Sequence, residues 1–162
     1  MGLEGPRDPL TRRVDAAAHL EARLGHRFRD DARLAQALTH TSYANEHPGT
    51  PHHEGLAFLG DAALALAVAE RLLALDPDAP VGVLTPRRAE IVSGANLARW
   101  AVDLGLGAML RLGRGEDLTG GRARESILAT TLEAVLGVIY LDDGLAAVRH
   151  AIARLAGWDQ PG

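Results

Sequence analysis

Acidic residues inside two apolar stretches of the sequence are the side chains best suited to chemistry. Glu54 and Asp61 fall in the stretch 54–75 and are seven residues apart, which places them on one face of a helix, two turns from each other. Glu133 follows Thr130 by three residues in a second apolar stretch, again a same-face spacing. Because burying a carboxylate is costly unless it is paired or binds a metal ion, Asp61 and Glu133 are candidates for metal binding or catalysis.

The same pattern also fits two carboxylates without a chemical role. Asp61 follows Gly60 and can lie at a helix bend with access to water, while Glu133 can bond arginine or backbone groups. Neither carboxylate has a neutralising neighbour in the sequence. The spacing alone leaves both interpretations open.

Two further motifs predict no binding site. His52 and His53 precede Glu54, but adjacent histidines at a helix start point in different directions and lack a third ligand, so we expect them to be solvated. Six glycines between residues 105 and 121 could suggest a phosphate loop. The pattern GxxxxGK[ST] is absent and no predicted strand precedes them, which argues against a nucleotide site.

Helices are the elements that must position the acidic residues. Alanine and leucine supply 55 of the 162 residues and aromatic residues only six, which favours an all-α fold. Residues 54–75 are apolar on most of the helix circumference and should form the buried central helix. The other predicted helices cover residues 10–24, 30–38, 86–103, 123–140 and 145–156, with a loop at 47–53 and a glycine-rich connection at 105–121.

Length, charge and composition restrict the class of protein. The chain predicts one domain at residues 10–156, between a flexible lead-in at 1–9 and a tail at 157–162. It has no cysteine, no apolar run of secretory length and no membrane-spanning run, so we expect a cytoplasmic protein without disulfides. All 17 basic residues are arginine and the net charge is −4, so any RNA binding must come from a local patch.

Four ordered blocks of the sequence resemble the catalytic domain of ribonuclease III. Residues 37–46 read ALTHTSYANE, which is similar to the family pattern ALTHxSYxNE. Residues 54–62 read EGLAFLGDA, close to the signature ERLEFLGDA, and His53 stands where the family has asparagine. Residues 82–89 match GxLTxxRA, and the segments LGRGE, GGR, SILA and EAVLGVIYLD follow in family order. The resemblance implies a single all-α ribonuclease III-type domain that forms dimers.

The resemblance also implies a site. Members of the family cut double-stranded RNA with magnesium ions held by four carboxylates, which would lie at positions 57, 61, 130 and 133. Asp61 and Glu133 match, whereas Ala57 and Thr130 stand where the family has Glu and Asp. We therefore expect Mg²⁺ or Mn²⁺ binding to be weak or absent, since affinity follows the carboxylate count. Glu54, acidic in the family signature, joins Asp61 and Glu133 as a candidate catalytic residue.

Three functions remain open on this basis. The first is a domain of double-stranded RNA processing that is catalytically impaired, a pseudoenzyme. The second is an active metal-dependent endoribonuclease that cleaves ribosomal or other structured RNA precursors. The third is a structural dimerisation subunit.

The resemblance implies partners as well. Phe58 lies where family members insert an aromatic ring into the partner subunit, which predicts a homodimer, or a heterodimer with an intact paralogue. Classical members continue into a double-stranded-RNA-binding domain. The sequence stops at Gly162, so we expect a stand-alone catalytic domain without one.

Overall fold

The computed structural model describes residues 9–159, and within them the predicted all-α fold is confirmed. The described part contains no strand beyond an isolated parallel bridge between Thr39 and Arg111. Its helices are α1 (Pro9–Leu24), α2 (Asp31–Ala37), α3 (Thr41–Glu46), α4 (Glu54–Leu75), α5 (Val81–Ile91), α6 (Gly94–Asp103), α7 (Leu106–Met109), α8 (Arg114–Leu118) and α9 (Glu125–Leu155), with a 3₁₀ turn at Gly121–Ala123. None of these helices is long and apolar enough to cross a membrane. Residues 1–8 of the expected lead-in and 160–162 of the expected tail lie outside the described residues.

Helix α9 is the centre of the core. Helices α4 and α6 pack along it, and α1 and α2 contact its remaining sides. Its fully buried side chains include Leu132, Val135, Leu136, Ile139, Val148 and Ile152. Helix α9, which is packed by other helices on several sides, therefore takes the central place that the sequence analysis assigns to α4. Helix α4 instead buries one face and leaves Phe58, Leu66 and Leu73 exposed.

Two glycines allow α4 and α9 to touch at the backbone. A Cβ atom at Gly60 would fall well inside 3.0 Å of the Glu133 carbonyl oxygen, and one at Gly137 would meet the Leu56 carbonyl in the same way. Real Cβ atoms essentially never come so close, so only glycine fits at either position. This contact brings the backbone of Gly60 directly against that of Glu133, and it therefore sets the spacing of the acidic site.

The helix predicted for residues 86–103 is wrong in two respects. It begins earlier, at Val81, and Pro86 lies inside α5 rather than at its start. It is also two helices, because the Ser93 side chain accepts a hydrogen bond from the Asn96 backbone N–H (3.2 Å) and caps α6. Asn96 Nδ2 in turn donates to the Ile91 carbonyl (2.7 Å) at the end of α5. These two side-chain bonds stabilise the chain break in the way that helix caps do.

The two helices predicted for residues 123–140 and 145–156 are continuous in α9 except for a break at Gly144. This residue has φ 76° and ψ −167°, a conformation outside the helical region that glycine adopts readily. Just before the break, the Asp142 carboxylate lies 3.0 Å from Nε2 of His26 and accepts a hydrogen bond from the Arg29 backbone N–H. The buried His26 and Asp142 therefore attach the segment after α1 to the bend in α9.

We predict that Gly60→Ala destabilises the fold strongly. The added methyl group has to push α4 away from the α9 backbone, at a cost of about 3 kcal/mol in the free energy of unfolding. Gly55→Ala is the matched control, because a Cβ atom there meets nothing within 4 Å and should stabilise α4 by about 0.5 kcal/mol. Chemical denaturation of both variants measures the difference, and equal stabilities would contradict the close backbone contact.

Candidate functional site

Asp61 and Glu133 lie near each other at the contact between α4 and α9. Burial raises the pKa of the Glu133 carboxyl to about 7, and the nearby Asp61 carboxylate adds to this shift. Asp61 itself is exposed, while Glu133 is half-buried. The structure thus brings together the two acidic residues that the sequence places on different helices. The pair therefore takes up a proton more readily than two separate carboxylates in water would.

The two substituted positions add no charge to this pair. Ala57 lies one helical turn before Asp61 and is buried, with 5% of its surface exposed. Thr130 lies one turn before Glu133 and offers a neutral hydroxyl. Among the described residues, no group of three or more histidine, aspartate and glutamate side chains is arranged to hold a metal ion. The residues present therefore do not fit the four-carboxylate magnesium site that the resemblance implies.

Glu54 belongs to a second charged cluster, at the beginning of α4. Its carboxylate acts on the ring of His40, as does the carboxylate of Glu116 on α8. Burial is the larger influence and lowers the pKa of His40 below its usual value, while these two carboxylates oppose the shift. The carboxylate whose charge acts on Glu133 is Asp61. The three candidate catalytic acids therefore form one pair, Asp61 and Glu133, and Glu54 stands apart from it.

The prediction that His52 and His53 are both solvated is wrong for His53. Only 2% of its surface is exposed, and its ring packs edge-on against His40 with 5.4 Å between ring centroids. Its backbone N–H donates to the Thr39 carbonyl (2.9 Å), which draws the residue under the loop before α3. Burial, followed by the influence of His40 and His52, lowers the pKa of His53 to about 4. The ring is therefore neutral at pH 7.

Short-range bonds fix the loops around this histidine pair. Nδ1 of His40 accepts a hydrogen bond from the Ser42 backbone N–H (3.1 Å) and caps α3. Ser42 Oγ lies 2.8 Å from the same nitrogen and accepts a hydrogen bond from the Gly113 backbone N–H (2.9 Å). The bridge between Thr39 and Arg111 ties the same two segments together. The family block 37–46 and the block that begins at Leu112 are thus adjacent in space.

Two arginines that the sequence analysis does not single out hold the glycine-rich connection. The Arg122 guanidinium donates to the carbonyls of Gly107 (3.0 Å) and Leu110 (2.7 Å) and pairs with the Asp117 carboxylate. Arg124 pairs with Glu116, the residue whose charge reaches His40. An arginine fork that binds carbonyl oxygens and a carboxylate together is typical of a structural anchor. The only sequence signal for this role is the GGR segment, which the resemblance includes.

Phe58 lies on the exposed face of α4, one turn before Asp61. It is 83% exposed, more than any other large hydrophobic side chain for which the structure gives an exposure. Leu66 and Leu73 extend the same exposed face toward the end of α4. An aromatic ring at that exposure next to a candidate site is typical of a surface that a partner covers.

The family-level comparisons point in one direction. Residues 30–156 match the family model described as Ribonuclease-III-like. The chain is 48% identical over 151 residues to Ribonuclease 3 of Streptomyces coelicolor, covering 91% of this chain and 54% of the relative. It is 47% identical over 134 residues to Ribonuclease 3 of Symbiobacterium thermophilum, covering 83% and 57%. The chain therefore spans little more than half the length of these curated relatives.

Solved structures show the same relationship at the level of the fold. Two structures of the nuclease domain of ribonuclease III from Campylobacter jejuni superpose on this chain, each with a TM-score of 0.80. They are 34% and 33% identical and cover 89% and 90% of this chain and 98% and 97% of their own. The structure that is 34% identical shows structural flexibility in the region of the Campylobacter jejuni nuclease domain that is involved in dimer formation.

We predict that Glu133 makes the stability of this protein decrease with rising pH. Because the folded state raises the pKa of Glu133 from 4.5 to about 7, the folded chain binds more protons than the unfolded chain between these values. The contribution of Glu133 is therefore fully present below pH 4.5 and is lost as the pH rises through 7.

Glu133→Gln should remove this dependence and melt at a higher temperature than the unmodified chain above about pH 7. Thermal melts of both proteins from about pH 4 to about pH 8 measure how the melting temperature depends on pH. Glu90→Gln, which changes an exposed glutamate on α5, is the matched control and should follow the unmodified chain. A Glu133→Gln curve that runs parallel to the unmodified chain contradicts the assignment.

Proposed function

The chain belongs to the ribonuclease III family, and on that premise we propose that it is a domain of double-stranded RNA processing whose metal-dependent cleavage is impaired. The family fold supports the RNA-processing part of the proposal. The incomplete acidic set supports the impairment. Activity, substrate and partners are inferred for a chain that spans about half the length of its curated relatives.

The observation that carries the impairment is the composition of the contact between α4 and α9. Asp61 and Glu133 are in place, but Ala57 and Thr130 contribute no carboxylate. A hard divalent cation prefers several charged oxygen ligands, and its affinity falls as their number falls. Two carboxylates in place of four therefore form a weak magnesium site.

An active endoribonuclease is the second candidate function, because the close relatives are named as ordinary Ribonuclease 3. Asp61, Glu133 and Glu54 are present, and binding of an RNA phosphate group beside the pair would supply further oxygen ligands to a metal ion. The third candidate, a structural dimerisation subunit, needs only the exposed face of α4. Cleavage assays separate the second candidate from the other two.

We infer that the chain forms a homodimer through the exposed face of α4. Phe58, Leu66 and Leu73 leave a row of large apolar side chains in water, which association would cover. The related Campylobacter jejuni domain has a region involved in dimer formation, which supports the same arrangement here. A heterodimer with an intact paralogue is the alternative, and it would use the same exposed face of α4.

We predict that restoring the missing carboxylates restores cleavage. Ala57→Glu with Thr130→Asp should give metal-dependent cutting of a long RNA duplex, and neither single variant should reach that rate, because ligands of one metal site act together. Four close carboxylates should also lower the melting temperature without metal, with recovery in Mg²⁺. Gel assays and thermal melts measure both effects in the unmodified chain and in all three variants.

The matched control adds the same two charges to exposed positions away from the site. Ala89→Glu with Ala146→Asp changes exposed residues of α5 and α9 and should leave cleavage at the level of the unmodified chain. Strong cutting by the unmodified chain contradicts the impairment and favours the active enzyme. A folded, metal-binding double variant that stays inert contradicts a functional RNA groove.

We predict that Phe58→Asp converts the dimer to a monomer. The substitution places a charge in the centre of the apolar face, and burying it at an interface without a partner is costly. Sedimentation at micromolar concentration should give about twice the 17.1 kDa mass for the unmodified chain and the single mass for the variant. Val102→Asp, at an exposed position of α6, is the control and should remain a dimer. A monomeric unmodified chain overturns the proposal.

A further inference from the structure

A cavity of about 420 Å³ lies between the C-terminal parts of α4 and α9. Its apolar wall consists of small and medium side chains from both helices, namely Ala67, Ala74, Leu75, Ile152 and Ala153. Its polar groups are Glu70, Arg71 and Arg149, and Trp158 closes one side. A volume of this size lies in the range of about 300–1,000 Å³ that is typical of small-molecule sites.

The cavity is separate from the acidic pair. Arg71 follows Asp61 by ten residues on α4, which corresponds to about 15 Å along the helix axis. On α9, Arg149 follows Glu133 by sixteen residues and lies beyond the break at Gly144. The lining residues therefore take no part in the candidate function described above.

The two arginines of this cavity are held in different ways. Arg149 binds a single oxygen of Glu70, with 2.6 Å from Nε and 2.5 Å from an Nη atom to Oε2. The Arg71 guanidinium lies over the Trp158 ring, with 4.3 Å between Cζ and the ring centroid. Arg71 Nε is buried and has no hydrogen-bond partner among the described residues. The neighbouring carboxylate, Glu70, is already engaged by Arg149.

A guanidinium that is stacked on an indole ring and has no carboxylate partner among the described residues is an arrangement that an anion would complete. Stacking on an indole ring holds the guanidinium plane in place, so its N–H donors keep a fixed direction. Nε of Arg71 is enclosed by the protein, so an oxyanion in the cavity would bind the terminal N–H groups of the guanidinium. With Arg71, Arg149 and Glu70 the lining has a charge of +1, in a chain whose net charge is −4.

We propose that this cavity binds a small organic phosphate of mononucleotide size. Two guanidinium groups, one from each helix, line the cavity, and together they suit the three oxygens of a phosphate monoester better than the two oxygens of a planar carboxylate. The apolar wall from Ala67 to Ile152 contacts the sugar or base. A free nucleotide and the 5′-phosphate at the end of an RNA strand share this chemistry.

Calorimetry of the full chain with adenosine 5′-monophosphate, inorganic phosphate and adenosine tests the proposal. We expect saturable binding of the monophosphate, weaker binding of inorganic phosphate and none of adenosine. Arg71→Met should weaken binding of the monophosphate by about tenfold or more, the loss expected for a charge-assisted contact. Arg71→Lys keeps the charge but not the planar fork, and should also weaken it.

Arg99→Met is the matched control, because Arg99 is an exposed arginine on α6 outside this cavity. It removes the same charge and should change the affinity by less than about twofold. Glu70→Gln should have the opposite effect, because it removes the carboxylate that pairs with Arg149. The freed guanidinium should then bind the monophosphate more tightly. This gain keeps the test decisive even where Arg71→Met fails to fold.

A second titration separates the two sources of phosphate. Two short RNA strands are tested as competitors of adenosine 5′-monophosphate in this titration, one with a 5′-phosphate and one with a 5′-hydroxyl group. If only the phosphorylated strand competes, the natural ligand is the 5′ end of an RNA. If neither strand competes, the natural ligand is a free nucleotide. The proposal is overturned by any of three results. These are no saturable binding of either phosphate up to about 10 mM, equal losses in Arg71→Met and Arg99→Met, or no tighter binding in Glu70→Gln.

Discussion

The backbone contact between α4 and α9 at Gly60 and Gly137 is the constraint on which the rest of the structure depends. It sets the distance between the two long helices, and the core side chains on both must fill the space that remains. It also places Glu133 beside Asp61, because the Glu133 carbonyl is the group that Gly60 touches. The packing of the two long helices and the position of the acidic pair thus both depend on this backbone contact.

The site residues themselves do not hold this contact together. Ala57 and Thr130 occupy the positions of two family acids, yet the described residues keep the family fold at a TM-score of 0.80. A carboxylate that is partly buried without a partner destabilises a protein, so loss of two of them does not remove support from the core. The same cost remains at Glu133, because burial and the charge of Asp61 disfavour its ionised form and raise its pKa to about 7.

Sequence reasoning predicts the long helices of this chain better than the short ones. The bounds of α4 are those expected from its apolar run, and Asp30 caps α2 as its position suggests. The break before α6 is missed because its signals are side-chain bonds of Ser93 and Asn96, which compete with a Thr-Pro pair that is equally typical of a helix start. In the folded chain these local capping bonds, and not the Thr-Pro pair, mark where the second helix begins.

The acidic pair could be identified from spacing and resemblance, but its surroundings could not. Nothing in the sequence near His53 indicates that its ring is buried against His40, since the two are thirteen residues apart and meet only through the loop before α3. The anchoring role of Arg122 likewise depends on carbonyls of Gly107 and Leu110, whose direction follows from the backbone path. Such contacts between segments have no local pattern to read.

The central place of α9 has a consequence for synthesis of the chain on the ribosome. Helix α9 covers residues 125–155, while its main packing partner, α4, is complete by residue 75. Helices α1, α2, α4 and α6 all contact α9, so the nascent chain must leave their apolar faces open until α9 emerges. Pairing of Gly60 with Gly137 also closes a loop of 77 residues, a contact order that slows folding relative to local helical bundles. The core of this fold is therefore completed only when α9 is available, and until then the apolar faces of the earlier helices stay exposed to other molecules around the ribosome.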